Sequence, residues 1–228
     1  MKSVLVVLSH PDDEIGCAGT IARHTARGDR VVLAWLTKGG MTEAFGDLPV
    51  EEVMARRVEH GATAARILGC EYRFFDFPDT AVEVTREAVV AVAKLIAEVR
   101  PDAVITWGDA WVRGLRHPDH RNTGQIVRDA VTFARLSRIV APLPPHRAPA
   151  PIFTLRDVHS TLPPHAVDVT PVADKIEEVA RHYWEAVGWP AADWLREKLE
   201  AAGKEWGVGM AEVFDAWETG KALGDGVV

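Results

Sequence analysis

Apolar positions along this chain fall into two kinds of run. Val4-Leu5-Val6-Val7-Leu8 is short, β-branched and unbroken, the pattern of a parallel strand buried on both faces. Arg30 to Leu36, Tyr72 to Phe75 and Ala103 to Thr106 read the same way. Between these runs the period lengthens to 3.6 residues. Ile15 to Ala22 is small and apolar and predicts a helix ending near Gly28. From Val50 the positions Val53, Met54, Val58, Ala62, Ala65, Ile67 and Leu68 predict a helix that Gly69 closes. Glu83 to Val99 carries the stripe Ala88, Val89, Val92, Leu95, Ile96 and Val99, and a further helix is expected over Asn122 to Leu136. Strands alternating with helices predict an α/β fold: Rossmann-like and three-layered, with a mostly parallel sheet and helices on both faces.

The second part of the chain is less regular. Pro142, Pro144, Pro145, Pro149 and Pro151 predict a stiff, extended connector. Ile152 to Leu155 and Ala166 to Val169 read as short strands. Thr170-Pro171 is a helix start, and that helix runs to about Val187. Ala191 to Gly220, with Trp194, Trp206 and Trp217, is expected to be helical. We read residues 1–228 as one domain, in which the part from about residue 150 packs on the core and completes the pocket.

Composition narrows the function. Of 228 residues, 47% are hydrophobic and 26% charged, as in a soluble globular protein. The formal net charge of -7 argues against nucleic acid or an anionic membrane as partner, since both select basic surfaces. Cys17 and Cys70 make no disulfide framework. The N-terminal apolar run is shorter than a signal peptide's, and no stretch reaches transmembrane length, so a cytoplasmic location is expected. A homo-oligomer is compatible with this chain.

Two polar clusters stand where strands end. Ser9-His10-Pro11-Asp12-Asp13-Glu14 follows the first strand, and Arg116-His117-Pro118-Asp119-His120 follows the loop after the fourth. In open α/β sheets ligands bind at the carboxyl ends of strands. His10, Asp13 and His120 together offer two imidazoles and a carboxylate. That set suits zinc, and iron(II) could occupy it; it leaves coordination positions open. An Asp-rich helix cap with a stray histidine would explain either cluster alone, but not both. Asp12 lies in the same turn as a ligand and can approach bound water without binding the metal. Trp107 and Trp111 are expected on the pocket wall.

These paired motifs resemble those of the LmbE-like, or PIG-L-type, zinc-dependent N-acetylglucosaminyl deacetylases: His-Pro-Asp-Asp-Glu at residues 10–14 and His-Pro-Asp-His at residues 117–120. The resemblance extends along most of the chain. It implies that Asp12 is the general base, which then protonates the leaving amine, and that His117 stabilises the oxyanion. Asp119 would orient His117 and favour its protonated form. It further implies substrate contacts at Arg56, from an Arg-x-x-Glu helix shared with Glu59, and at Asp79. Asp168, Lys175 and His182 fit the order of a later family pattern, and Ala211-Glu212-Val213-Phe214 resembles its closing motif. Gly40 stands where several members carry a sugar-contacting Glu.

The function so implied is metal-dependent hydrolysis of an N-acyl group, N-acetyl on a small-molecule amino sugar. Two alternatives remain at this point. One is amide cleavage in a thiol-conjugate or acyl-peptide substrate. The other is a non-catalytic metal- or nucleotide-binding module, against which the acidic first turn counts, because its charges would repel phosphate.

Overall fold

The computed structural model describes residues 1–108, 117–188 and 193–228. Eight strands form one sheet: β1 (Ser3–Leu8), β2 (Arg30–Trp35), β3 (Glu71–Phe74), β4 (Ala103–Trp107), β5 (Ile152–Leu155), β6 (Pro164–Asp168), β7 (Ala211–Ala216) and β8 (Ala222–Gly224). Their order is β3-β2-β1-β4-β5-β7-β6-β8. The first five are parallel, β7 runs antiparallel to both β5 and β6, and β8 lies parallel to β6. After β3 the chain crosses to the far side of β1. The carboxyl ends of β1 and β4, paired Val4 to Ala103 through Val6 to Ile105, therefore flank the point where strand order reverses. That crevice is where open α/β sheets bind ligands.

Side chains of the central strands alternate between two apolar layers. Val4, Val6, Leu8, Leu33 and Trp35 face one layer, with helices α1 (Ala18–Ala26), α2 (Val50–Leu68), α6 (Ala173–Val187) and α7 (Asp193–Trp206). Leu5, Val7, Val32 and Ala34 face the other, with α3 (Arg86–Val99), α4 (Pro118–Phe133) and the short α5 (Ser137–Val140). The three-layer Rossmann-like arrangement follows. Each such valine or leucine, when fully buried, stabilises the fold by roughly 1.5–3 kcal/mol. No helix among the described residues is long and apolar enough to cross a membrane.

Several boundaries differ from the pattern's expectation. Helix α3 begins at Arg86, not Glu83, because Thr85 caps it and accepts the Ala88 N–H at 3.1 Å. Helix α4 begins at Pro118, not Asn122. Proline at the first position needs no N–H partner, and His117 caps the turn by accepting the Asp119 N–H at 3.2 Å. The helix expected up to Gly220 stops at Trp206. Beyond Gly207, whose φ is 75°, Ala211 to Ala216 instead forms β7 between β5 and β6. Ala191, the expected start of that helix, lies outside the described residues, as do Trp111 and Arg116.

Two distant contacts fix helices near the crevice. Glu212 of β7 accepts the Gly19 N–H at 2.8 Å and the Thr20 N–H at 2.7 Å, so a carboxylate 193 residues away closes the first turn of α1. Gly124 of α4 sits against the end of β4: a Cβ there would lie 2.2 Å from the Trp107 carbonyl oxygen. Gly124→Ala is expected to push α4 outward and lower stability by about 1–3 kcal/mol, measured by chemical denaturation. A stability unchanged from the parent would show that α4 does not need this close approach.

Candidate active site

The turn after β1 is built to present acids. Ser9 and His10 give their backbone N–H groups to Asp13 Oδ2, at 3.0 and 2.9 Å. Trp107 Nε1–H reaches the same oxygen at 3.1 Å from the end of β4. The other oxygen, Oδ1, lies 3.2 Å from His120 Nε2. The His120 ring stacks flat on Trp107, centroids 3.8 Å apart at 8°. Trp107 thus lies beneath one imidazole and fixes the carboxylate facing it. Burial alone would raise the pKa of Asp13. The charges and hydrogen bonds of His120 and His10 overcome this and hold it well below the usual carboxylate range.

His10, Asp13 and His120 each offer a ligand atom, and these atoms all lie within 4.8 Å of one another. Two imidazole nitrogens and an ionised carboxylate are donors that zinc or iron(II) takes, so the set fits a divalent cation. The far nitrogen of His10, Nε2, lies 3.1 Å from both Asp119 Oδ2 and Asp79 Oδ1. Such a bond fixes the tautomer and leaves Nδ1 on the Asp13 side. Burial would lower the pKa of His10, but the bonds to Asp119 and Asp79 and the charge of Asp13 raise it to about 10. Carboxylates crowd this imidazole and favour a positive charge beside it.

Asp12 stands next in the turn with φ of 113°, the left-handed region that a residue bearing Cβ enters at a cost of about 1–3 kcal/mol. Arg57, 3% exposed on α2, donates Nη2–H to Asp12 Oδ2 at 2.7 Å and also to the Pro11 carbonyl. Burial pushes the Asp12 carboxyl up to about 6, against the lowering charge of Arg57. Glu14, fully buried, is pushed up to about 7 by burial in the same way.

Asp119 does not face His117 as the resemblance implies. Its carboxylate accepts the Thr80 N–H at 2.9 Å and the Val82 N–H at 3.2 Å and turns to His10; His117 Nδ1 is 3.9 Å away. Burial and the charge of His10 lower the His117 pKa despite Asp119, opposite to the protonated form expected. Because His117 Nδ1 accepts the Asp119 N–H, the neutral ring carries its hydrogen on Nε2.

One cavity of about 980 Å³ opens over this cluster. Its wall includes His10, Asp12, Asp13, Asp79, His117 and His120, brought together from the turn after β1, the start of α4 and the segment after β3. Arg57 lines it too, whereas Arg56 bonds Glu52 at 2.9 Å on the half-exposed side of α2. The Arg56–Glu59 pairing is not formed: Glu59 bonds Arg66 at 2.7 Å. Asp79, also on the wall, accepts the Met41 N–H at 2.8 Å. Residues 155–158, α7 and β7 close the far side. His182 bonds the His60 carbonyl at 3.1 Å, away from that wall, and Lys175 pairs with Glu178. Asp168 caps its own turn at Thr170.

A family model described as PIG-L, GlcNAc-PI de-N-acetylase, matches residues 5–131. This chain belongs to the PIG-L family. The chain is 35% identical over 190 residues to the diacetylchitobiose deacetylase of Thermococcus kodakarensis, an alignment spanning 80% of this chain and 69% of that protein. Among solved structures, the N,N'-diacetylchitobiose deacetylase of Pyrococcus horikoshii superposes with a TM-score of 0.82 at 27% identity, covering 95% of this PIG-L chain and 84% of that one. The 4-carboxy-2-hydroxymuconate hydratase of Pseudomonas putida superposes at a TM-score of 0.78 with 23% identity, covering 96% and 97%. That last likeness shows the fold alone. The same fold hosts more than one reaction, so the chemistry must be argued from the site.

Proposed function

We propose that this protein is a metal-dependent deacetylase that hydrolyses the N-acetyl group of an N-acetylglucosamine-containing small molecule. The observation that carries the reading is the turn 10–13. It sets a half-buried carboxylate, Asp12, beside the His10–Asp13–His120 donor set with an arginine clamped on it. The deacetylases among the relatives support the substrate class.

His10, Asp13 and His120 would hold the ion, with zinc first by donor type and iron(II) second. A bound divalent ion supplies Lewis acidity, making water acidic enough to react near neutrality. Asp12 takes a proton from the attacking water as its oxygen bonds to the amide carbon. When the C–N bond breaks, Asp12 returns that proton to the leaving nitrogen, giving a free amine and acetic acid, which ionises to acetate. His117, neutral, donates Nε2–H to the carbonyl oxygen as negative charge gathers there. Asp119 acts on His10 and, through the Thr80 and Val82 backbone, on the loop carrying Asp79. Asp79 is positioned to accept a substrate hydroxyl. The substrate-side arginine is Arg57, not Arg56, because Arg57 is the one on the cavity wall.

The test is acetate release from N-acetylglucosamine and diacetylchitobiose before and after chelation. Turnover should vanish on chelation and return with zinc or iron(II). Turnover that survives complete metal removal, or release of amine from thiol-conjugate or acyl-peptide amides but from no acetylated sugar, would overturn the reading.

A further inference from the structure

The left-handed turn at Asp12 is gripped from two sides. Arg57 holds its carboxylate from the cavity side. From the core side, Glu14 Oε2 accepts the Asp12 backbone N–H at 3.0 Å and Trp35 Nε1–H at 3.0 Å. Glu14 Oε1 accepts the hydroxyl of Tyr183 at 2.5 Å, from α6 and 169 residues further on. Glu14, Trp35 and Tyr183 are all 0% exposed. A carboxyl at that depth is costly unless its oxygens are engaged. Strand–helix packing gives no reason for an acid here, since a leucine would fill similar volume. Glu14 does what leucine cannot: it satisfies an inward-pointing N–H of the very residue whose side chain meets the reacting water.

We infer that Glu14, held by Tyr183 and Trp35, is a positioning residue that keeps the Asp12 carboxylate aimed at the reacting water. The role is hydrogen bonding, not charge. Glutamine at position 14 keeps the two bonds to the turn and strand: its carbonyl oxygen accepts from Asp12 and Trp35, while its amide faces the Tyr183 oxygen and reverses that one bond. Leucine reproduces none. The inference rests on Asp12 being the base.

Glu14→Leu is expected to lower kcat on the order of 10²-fold, the scale of a small misplacement of a reacting group, with KM and metal content per chain unchanged. The solvent isotope effect on kcat should rise, because a misaimed base makes proton transfer slower than the steps around it. Glu14→Gln should recover kcat to within about threefold of the parent, since the Asp12 and Trp35 N–H groups keep their acceptor. Tyr183→Phe, which removes one hydroxyl outside the turn, should lower kcat about tenfold, the weight of one hydrogen bond. If Glu14→Leu does not fold, Tyr183→Phe decides: a lower Tm with unchanged kcat and isotope effect overturns the inference. So does a Glu14→Gln variant as slow as Glu14→Leu, which would make the charge itself the essential feature. An Asp12→Asn control separates the two readings. If it keeps turnover, the base assignment falls and the positioning role with it. If it loses turnover while Glu14→Leu and Tyr183→Phe stay fully active, the positioning role falls alone.

Discussion

Asp12→Asn should yield a folded, metal-loaded protein whose turnover is about 10²–10⁴-fold slower than the parent's. The substitution is informative because so little else changes. Asparagine keeps an oxygen for the Arg57 Nη2–H bond that Asp12 Oδ2 now accepts at 2.7 Å. It also enters the left-handed backbone region readily, so the φ of 113° adds no strain of its own. His10, Asp13 and His120 are untouched, and metal analysis should give the parent stoichiometry. What is removed is a group that can carry a proton from water to the leaving nitrogen. KM should stay near the parent value, because Asp12 acts on the reacting water more than on bound substrate. A variant that retains turnover to within tenfold, with metal in place, would remove Asp12 from the proton path.

Much of this site is legible in the chain because residue type and strand end coincide. An unbroken β-branched run followed at once by His10, Asp12 and Asp13 has few structural explanations, and the second His-Pro-Asp repeats the signal. Arg57 was also readable. On α2 the buried positions Val53, Arg57, Gly61 and Ala65 fall four apart, so Arg57 lies within the apolar stripe while Arg56 lies beside it. A basic residue on the buried side of a helix needs a partner, and a nearby turn rich in acids provides one. The Arg-x-x-Glu spacing of the resemblance points to Arg56 instead. Trp107 and Tyr183 were harder. An aromatic at a strand end or on a helix reads as packing, and their donation to Asp13 and Glu14 depends on sheet register and on an α6–turn contact that no local pattern encodes. Strand β7 lies where a helix is expected, for a related reason. Ala211-Glu212-Val213-Phe214-Asp215-Ala216 is short, and its pairing with β5 and β6 on both sides decides its conformation. Asp119, two residues beyond His117, does not orient that ring as the resemblance implies, because its carboxylate is engaged by Thr80, Val82 and His10.

Asp13→Asn should abolish activity by a different route, through the loss of metal. Oδ2 of Asp13 takes N–H groups from Ser9, His10 and Trp107. Those donors will claim the single carbonyl oxygen of asparagine, since an amide nitrogen cannot accept them. The amide NH2 must then occupy the place of Oδ1, which faces His120 Nε2 at 3.2 Å, and it turns hydrogens toward the position a cation would take. The turn keeps its backbone bonds, so the metal-free variant should match the metal-free parent in circular dichroism. Metal affinity should fall by more than about 100-fold, beyond the 10–100-fold typical when a residue that only orients a ligand is changed. Asp119→Asn supplies that comparison, because its carboxylate bonds His10 Nε2 at 3.1 Å without belonging to the His10–Asp13–His120 set. Titration of both metal-free variants with zinc, followed by a chromophoric competitor, gives the order. Asp13 should be the weaker binder by at least about tenfold, because it loses a donor where Asp119 loses only an orienting contact. The reverse order would move the ion toward Asp79, His117 and Asp119, the neighbouring group that shares His10.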